Sequence, residues 1–263
     1  MSEDPKSIPE FVKSEYLSIG QLASNLGWSI RFIEGLVRGE RLPGLQFDGT
    51  WYFRRDEVID WLEQKIQTLD SNRVIELEKR VESSLVKEGI YRRLIAPDRL
   101  ASRLPDDGII LDADLQTKND VLRALAALAD STGLVYDREY LLASLFDRET
   151  LCSTAMPGGV ALCHPRRPIP MAISTQFLCF LRTREPVYFG SDTGEDTSVF
   201  FLLCAPDDRS HLYGLAHIAR ILHHGALDLL KEAATPNAVK QILADFENRI
   251  QRSEQGTDTP SLQ

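Results

Sequence analysis

His164 lies in the segment GGVALCHPRRP, and about fifty residues later His211 lies in DDRSHLYGLAHIAR. An imidazole in such a loop can attack phosphorus with one ring nitrogen while a hydrogen bond to the other fixes its orientation, so this pairing points to a phosphoryl group carried in transit. Negative charge that develops in that transfer needs donors or cations nearby. The remaining histidines do not extend the set. His217 falls almost two turns after His211, and the adjacent His223 and His224 point in different helical directions, so all three read as surface or packing residues. Together with scattered cysteines they make no metal cluster, and no metal is expected. The chain has no GxxxxGK[ST] run and no dinucleotide-binding glycine pattern, so ATP, NAD or another cofactor is not expected either.

The elements that must position these residues belong to a chain of 263 residues, 43% of them hydrophobic, which suffices for one large core or for a small and a larger domain; division is the reading adopted here. A formal charge of -9 argues against nonspecific coating of nucleic acid and confines any DNA contact to a local basic patch. Cys152, Cys163, Cys179 and Cys204 lack paired-ligand spacing and lie in apolar surroundings, as buried thiols in a reducing cytosol would. The start MSEDPKSIPEF has no secretory pattern and no apolar run reaches transmembrane length, so a cytoplasmic protein without membrane insertion is expected.

In SIGQLASNLG, Ser18 and Gln21 form a capping pair ahead of Leu22 and Leu26, which predicts a compact helix. Gly27 allows a turn, Ser29 caps a second helix, and Ile30, Ile33, Leu36 and Val37 form its apolar side, leaving Arg31 and Arg38 available for phosphates or base edges. A Pro43-Gly44 turn, a segment around Leu45 to Phe47, an Asp48-Gly49 reversal and a segment around Trp51 to Phe53 predict a small wing. From Asp56 a helix with Val58, Ile59, Trp61 and Leu62 closes the core. The acidic Glu34 and Glu40 interrupt the basic face, which leaves open a small helical adaptor whose arginines only solubilise it.

These residues, roughly Tyr16 to Ile66, resemble the excisionase-like or MerR-like winged helix-turn-helix family in YLSIGQLASNLGWS, the RLPG turn and WYFRRDEVIDWL. The resemblance implies that the second helix enters the major groove with Arg31 and Arg38, and that Arg41, Arg54 and Arg55 serve as wing or backbone contacts to DNA.

Between Leu62 and Ile90 dense charge alternates with apolar positions, including Leu69, Val74, Leu77 and Val81, at approximate heptad spacing. The seam suits pairing of helices in a homo-oligomer or packing on the next domain; a solvated spacer remains the alternative. Beyond Leu94, NDVLRALAALADSTG and REYLLASLFDRE carry helical periodicity, TQFLCFLR and TSVFFLLCA read as buried strands, and HLYGLAHIARILHHG returns to helix. The mixture predicts an α/β layer structure.

The region from about Leu94 to Asn248 resembles the phosphotransferase-system type-2 IIA domain, the fructose/mannitol and nitrogen-regulatory class. The resemblance rests on NDVLRALAALADSTGLVYDREYLLASLFDRET, CSTAMPGGVALCHP, FFLLCAPDDRSHLYGLAHIARIL and AVKQILADF. It implies a mixed sheet flanked by helices, with His164 as the histidine that receives phosphate from a small phosphocarrier protein. By the same resemblance His211 orients or stabilises the phosphorylated ring, Arg148 neutralises phosphoryl oxygens, and Ser153 and Thr154 donate hydrogen bonds to them. Where the family's loop reads proline-histidine-glycine this chain has Cys163-His164-Pro165, so one backbone donor is missing; Arg166 and Arg167 are candidate auxiliary anion-binding residues in compensation.

The resulting expectation is a winged helix-turn-helix DNA-binding domain over 14–67, a helical connector over 68–93, an α/β IIA-like domain over 94–250 and a flexible tail over 251–263. The leading reading is a DNA-binding transcriptional regulator whose IIA-like domain senses carbon or nitrogen status through reversible histidine phosphorylation. The alternatives are a phosphocarrier between protein partners and a IIA-derived interaction module that is not phosphorylated.

Overall fold

The computed structural model describes residues 16–68, 75, 76, 78, 79, 81 and 100–254. Most of the connector, including Leu69, Val74 and Leu77, and the tail beyond 254 lie outside the described residues.

The N-terminal unit begins with β1 (Leu17–Ser18) and α1 (Ile19–Leu26), where Ser18 accepts from the Gln21 amide and Gln21 reaches back to the Ser18 amide. Gly27, at φ 68°, ends α1 in the left-handed conformation. Ser29 caps α2 (Ile30–Gly39) by accepting from Phe32. β2 (Leu45–Phe47) and β3 (Thr50–Phe53) form an antiparallel ribbon, with β1 on the other side of β3. α3 (Arg55–Thr68) then packs Val58, Ile59, Leu62 and Ile66 into the core with Leu22, Leu26, Ile33 and Phe53. The expected start of this helix, Asp56, is one residue late.

In the C-terminal domain β4 (Ile109–Ala113), β5 (Ala155–Met156), β6 (Val160–Cys163), β7 (Phe177–Val187) and β8 (Thr197–Cys204) make a mixed sheet in the order β4-β7-β8-β6-β5. The β4–β7 and β6–β8 pairs are parallel; β7–β8 and β5–β6 are antiparallel. α4 (Lys118–Ser131) and α5 (Arg138–Leu151) cover one face, where they meet Ala161, Cys163, Cys179, Leu181, Phe200 and Leu202. α6 (Asp208–Ile221), α7 (Leu227–Glu232) and α8 (Pro236–Glu254) cover the other, against Leu162, Leu178, Phe180, Phe201 and Leu203. Two-residue alternation explains why successive residues of β6, β7 and β8 serve opposite cores. No helix is long and apolar enough to cross a membrane among the described residues. Cys163, Cys179 and Cys204 are buried free thiols, and burial pushes all three up from the ordinary thiol value.

The apolar core of the N-terminal unit is continuous with the second face of the large domain. Polar contacts line the same seam. Arg209 donates to the carbonyls of Asn25 and Ser24 at 2.7 Å each, at the C-terminal end of α1. Arg55 pairs with Asp208 at 2.6 Å, and Arg167 with Asp60 at 2.6 Å. Further along, Glu78 and Val81 are buried against the chain's own large domain. His217 sits between Glu78 and Glu247, and Arg220 donates to Glu78 at 2.9 Å. Glu247 also accepts from the Leu100 amide, holding the start of the large domain. His217, read as a surface or packing residue, is thus part of an ionic clamp.

Burial alone would lower the His217 pKa, but hydrogen bonds and attraction to Glu247 and Glu78 raise it to about 9. A raised histidine stabilises most below its unfolded value and loses that contribution as pH climbs through the folded one. Stability in urea should therefore fall by on the order of 2–3 kcal/mol between pH 7 and 10, and the His217→Gln variant should lose this component of the pH slope.

Candidate functional site

Gly159, at φ 77°, turns the chain into β6 in a place where a side chain would strike the Asp196 carbonyl at 2.9 Å. The strand then alternates Val160 and Leu162 toward α6, and His164, the next residue of that phase, follows them. Its Nδ1 lies 2.7 Å from the Leu162 carbonyl, so Nδ1 carries the proton and Nε2 is left as the nucleophilic nitrogen. His211 comes from the first turn of α6, capped by Asp207, and its ring stands edge-on to His164 with centroids 4.9 Å apart. The backbone amide of His211 donates to the Asp207 carbonyl, so it is used within the helix.

Between the two rings lies a residue from the other unit. Glu63 of α3 places Oε1 2.8 Å from His211 Nε2 and Oε2 3.1 Å from His164 Nε2. Arg148 Nε, from the last turn of α5, lies 2.9 Å from both Glu63 Oε2 and His164 Nε2, a shared donor. The Arg148 guanidinium also donates to the Cys152 carbonyl at 3.0 Å. All four side chains are at most 2% exposed. Burial alone would raise the Glu63 carboxyl; its imidazole neighbours outweigh this, His211 by donating a hydrogen bond, and the group is held well below the usual carboxylate range. Burial lowers the His164 pKa, Glu63 only partly opposes this, and the ring is neutral. The cluster is therefore a carboxylate anchored by one guanidinium and one imidazole N–H, set against an unprotonated ring nitrogen.

Glu63, His164 and His211 offer ligand atoms within 4.8 Å of one another, a spacing that a metal ion could bridge. Arg148 Nε already occupies hydrogen-bonding distance of two of those atoms, so the positive charge of the cluster is the guanidinium. Beside it, a cavity of about 580 Å³ is lined from both units, by Gln64 and Gln67 of α3 and by Cys152, Ser153, Met156 and Thr193 of the large domain.

Of the residues singled out from the sequence, His164, His211 and Arg148 converge. The hydroxyls of Ser153 and Thr154 have other partners: Ser153 donates to the Phe189 carbonyl at 2.8 Å, and Thr154 donates to Glu149, which also pairs with Lys118 at 2.9 Å. Arg166 turns its backbone amide to the Ser144 hydroxyl at 3.1 Å. Arg167, expected as an auxiliary anion binder, is engaged instead by Asp60 and the Asp56 carbonyl in the seam. Arg55 is likewise paired with Asp208 in the seam, while Arg54 pairs with Asp56 and Glu57 and Arg38 with Glu34. Arg31 lines a surface depression on α2, and Arg41 adopts a positive φ of 58° after it. Glu63 itself is absent from the residues chosen by sequence. Its signal was its place four residues after Ile59 and three before Ile66, an acid on an apolar stripe.

Removing one partner of a buried ion pair strands the other charge. The Arg148→Met variant should lose about 3–5 kcal/mol of stability in denaturant titrations, and the double variant with Glu63→Leu should recover most of it.

Residues 103–246 match the family described as phosphoenolpyruvate-dependent sugar phosphotransferase system, EIIA 2. A nitrogen regulatory protein of Bradyrhizobium diazoefficiens is 30% identical over 155 residues, 57% of this chain and 92% of that protein. A fructose-specific EIIA component of Haloferax volcanii is 26% identical over 144 residues, 54% of this chain and 92% of that protein. Among solved structures, nitrogen regulatory protein IIA-Ntr of Neisseria meningitidis superimposes with a TM-score of 0.50 at 27% identity, covering 55% of this chain and 98% of that one. With the family span enclosing Arg148, His164 and His211 on the mixed sheet just described, the chain belongs to the phosphotransferase-system EIIA type-2 family.

Proposed function

We propose that this chain is a phosphohistidine protein of the phosphotransferase system, in which His164 Nε2 receives a phosphoryl group from a small protein phosphocarrier. The observation that carries this reading is the anion cradle beside the nucleophile: Arg148 Nε and His211 Nε2 hold two carboxylate oxygens, one of them 3.1 Å from His164 Nε2. Those donors suit the oxygens of a transferred phosphoryl group, and they stand in for the backbone donor that Pro165 cannot supply. In the transfer, the nitrogen–phosphorus bond of the donor breaks as the bond to Nε2 forms, the donor ring keeps the electron pair, and the proton stays on Nδ1, which donates it to the Leu162 carbonyl. The phosphorylated ring then either passes the group to another protein or reports the phosphorylation state to the rest of the chain. Similarity to a nitrogen regulatory protein and to a fructose-specific component supports both roles equally.

A second reading concerns the N-terminal unit. Two capped helices followed by a β-ribbon, with Arg31 on the second helix and Arg41 after it, suit a winged helix-turn-helix that binds DNA and would make the chain a transcriptional regulator of carbon or nitrogen status. Dimerisation through the connector would supply paired half-sites.

Incubation with phosphoenolpyruvate, its autophosphorylating enzyme and a phosphocarrier should add one acid-labile phosphoryl group by intact mass. His164→Ala should add none, and His211→Ala should be slower by roughly a hundredfold. Lack of incorporation under conditions that load a competent EIIA protein overturns the reading. For the DNA reading, selection from random-sequence duplexes should recover a motif whose binding falls in the Arg31→Ala/Arg38→Ala variant, with a log–log salt slope reduced by about 2. Failure to bind any duplex at low salt removes it.

A further inference from the structure

The phosphoryl-accepting nitrogen is covered by a residue that lies outside the family span. Glu63 is the only carboxylate within hydrogen-bonding distance of His164 Nε2 among the described residues, and it arrives on α3 from the N-terminal unit. Its two oxygens take the donors that the phosphoryl oxygens need: His211 Nε2 on one side and Arg148 Nε on the other. The contact is built rather than incidental. Asp60, one turn earlier on α3, pairs with Arg167 at the rim, Arg55 at the start of the helix pairs with Asp208, and Ile59, Leu62 and Ile66 seat the same helix in the continuous core.

We propose that Glu63 is a built-in occupant of the phosphoryl site, so that docking of the N-terminal unit on the C-terminal domain and phosphorylation of His164 exclude one another. The proposal rests on the reading of His164 as phosphoryl receiver and deepens it into a regulatory coupling. With Oε2 3.1 Å from Nε2, phosphorus and its three oxygens have no room beside the ring, and two anions would face one another out of water. α3 also stands over the nitrogen that any donor protein must reach. Transfer to Nε2 therefore requires α3 to lift, and the new phosphate then takes Arg148 and His211 and keeps it off. By linkage, anything that binds the N-terminal unit in its undocked form raises the reactivity of His164 by the factor by which phosphorylation favours that binding.

The test separates occupancy from phosphotransfer. Full-length wild type, Glu63→Ala and Asp60→Ala are treated with diethyl pyrocarbonate, which acylates accessible neutral imidazole, and carbethoxylation of His164 is followed by peptide mass spectrometry with exposed His223 as internal reference. His164 should react at least about tenfold faster in Glu63→Ala than in wild type, and faster than wild type in Asp60→Ala, where the occupant is intact and only the rim pair is lost. Circular dichroism establishes that each variant is folded. Equal rates in folded variants overturn the proposal, whatever the phosphorylation result. In parallel, the phosphocarrier system should load both variants faster than wild type, and phosphorylated wild type should show faster hydrogen exchange along α3. Faster acylation with no phosphorylation of any variant would overturn the functional reading while leaving the occupancy of the site intact; phosphorylation without faster exchange in α3 would overturn the coupling alone.

Discussion

The Glu63 carboxylate, removed from water and held by Arg148 and His211 against the His164 ring, fixes how the two units of this chain sit together. Burying an ion is costly, and the apolar residues around it on α3 would suffice to attach the helix somewhere on the sheet's second face. What they would not do is choose where. A buried carboxylate can be tolerated only where compensating donors wait, and that requirement selects one position and one rotation of α3. Apolar burial supplies affinity for the face, while the ionic cluster supplies registry upon it.

The same arrangement recurs further along the chain. Glu78, like Glu63, meets a histidine and an arginine of the large domain, here His217 and Arg220 on α6. His211 and His217 thus lie on one helix and each receives a glutamate from the N-terminal arm. The two differ in consequence. His217 is charged between two carboxylates and behaves as a structural clamp, whereas His164 is neutral, with a free lone pair directed at its neighbours. Chemistry remains possible only at the second of these clusters, because only there is an unprotonated nitrogen presented to an anion site.

Local features were legible in the sequence because their causes are local. Ser18 with Gln21 and Ser29 with Phe32 are partners three residues apart, the Asp48-Gly49 reversal joins adjacent strands, and the periodicity of Val121, Leu122 and Leu125 belongs to a single helix. His164, His211 and Arg148 were identified as a set through a family pattern, and the structure brings them together. Ser153 and Thr154 were carried by the same pattern, yet their hydroxyls are used by Phe189 and Glu149. Glu63 was missed because its meaning depends on partners 85, 101 and 148 residues away, which no window of sequence contains. Arg55 and Arg167 were read as contacts to outside anions for a related reason: a positive charge advertises the need for an acid without saying that the acid is Asp208 or Asp60 of the same chain.

Because α3 belongs to the same polypeptide as the site it covers, the competition at His164 is not between equals. The chain from residue 69 to 99 tethers Glu63 to the domain carrying His164 even when they are apart. Covalent linkage sets an effective concentration that dilution of the protein does not change, whereas a soluble protein donor must be supplied from solution. The ring is then covered at any dilution of the protein, and only a ligand of the N-terminal unit or the phosphoryl group itself shifts the balance. Cleavage of the backbone within that stretch would convert an intramolecular shield into a bimolecular one, and the same contacts, unchanged in every distance, would then weaken on dilution.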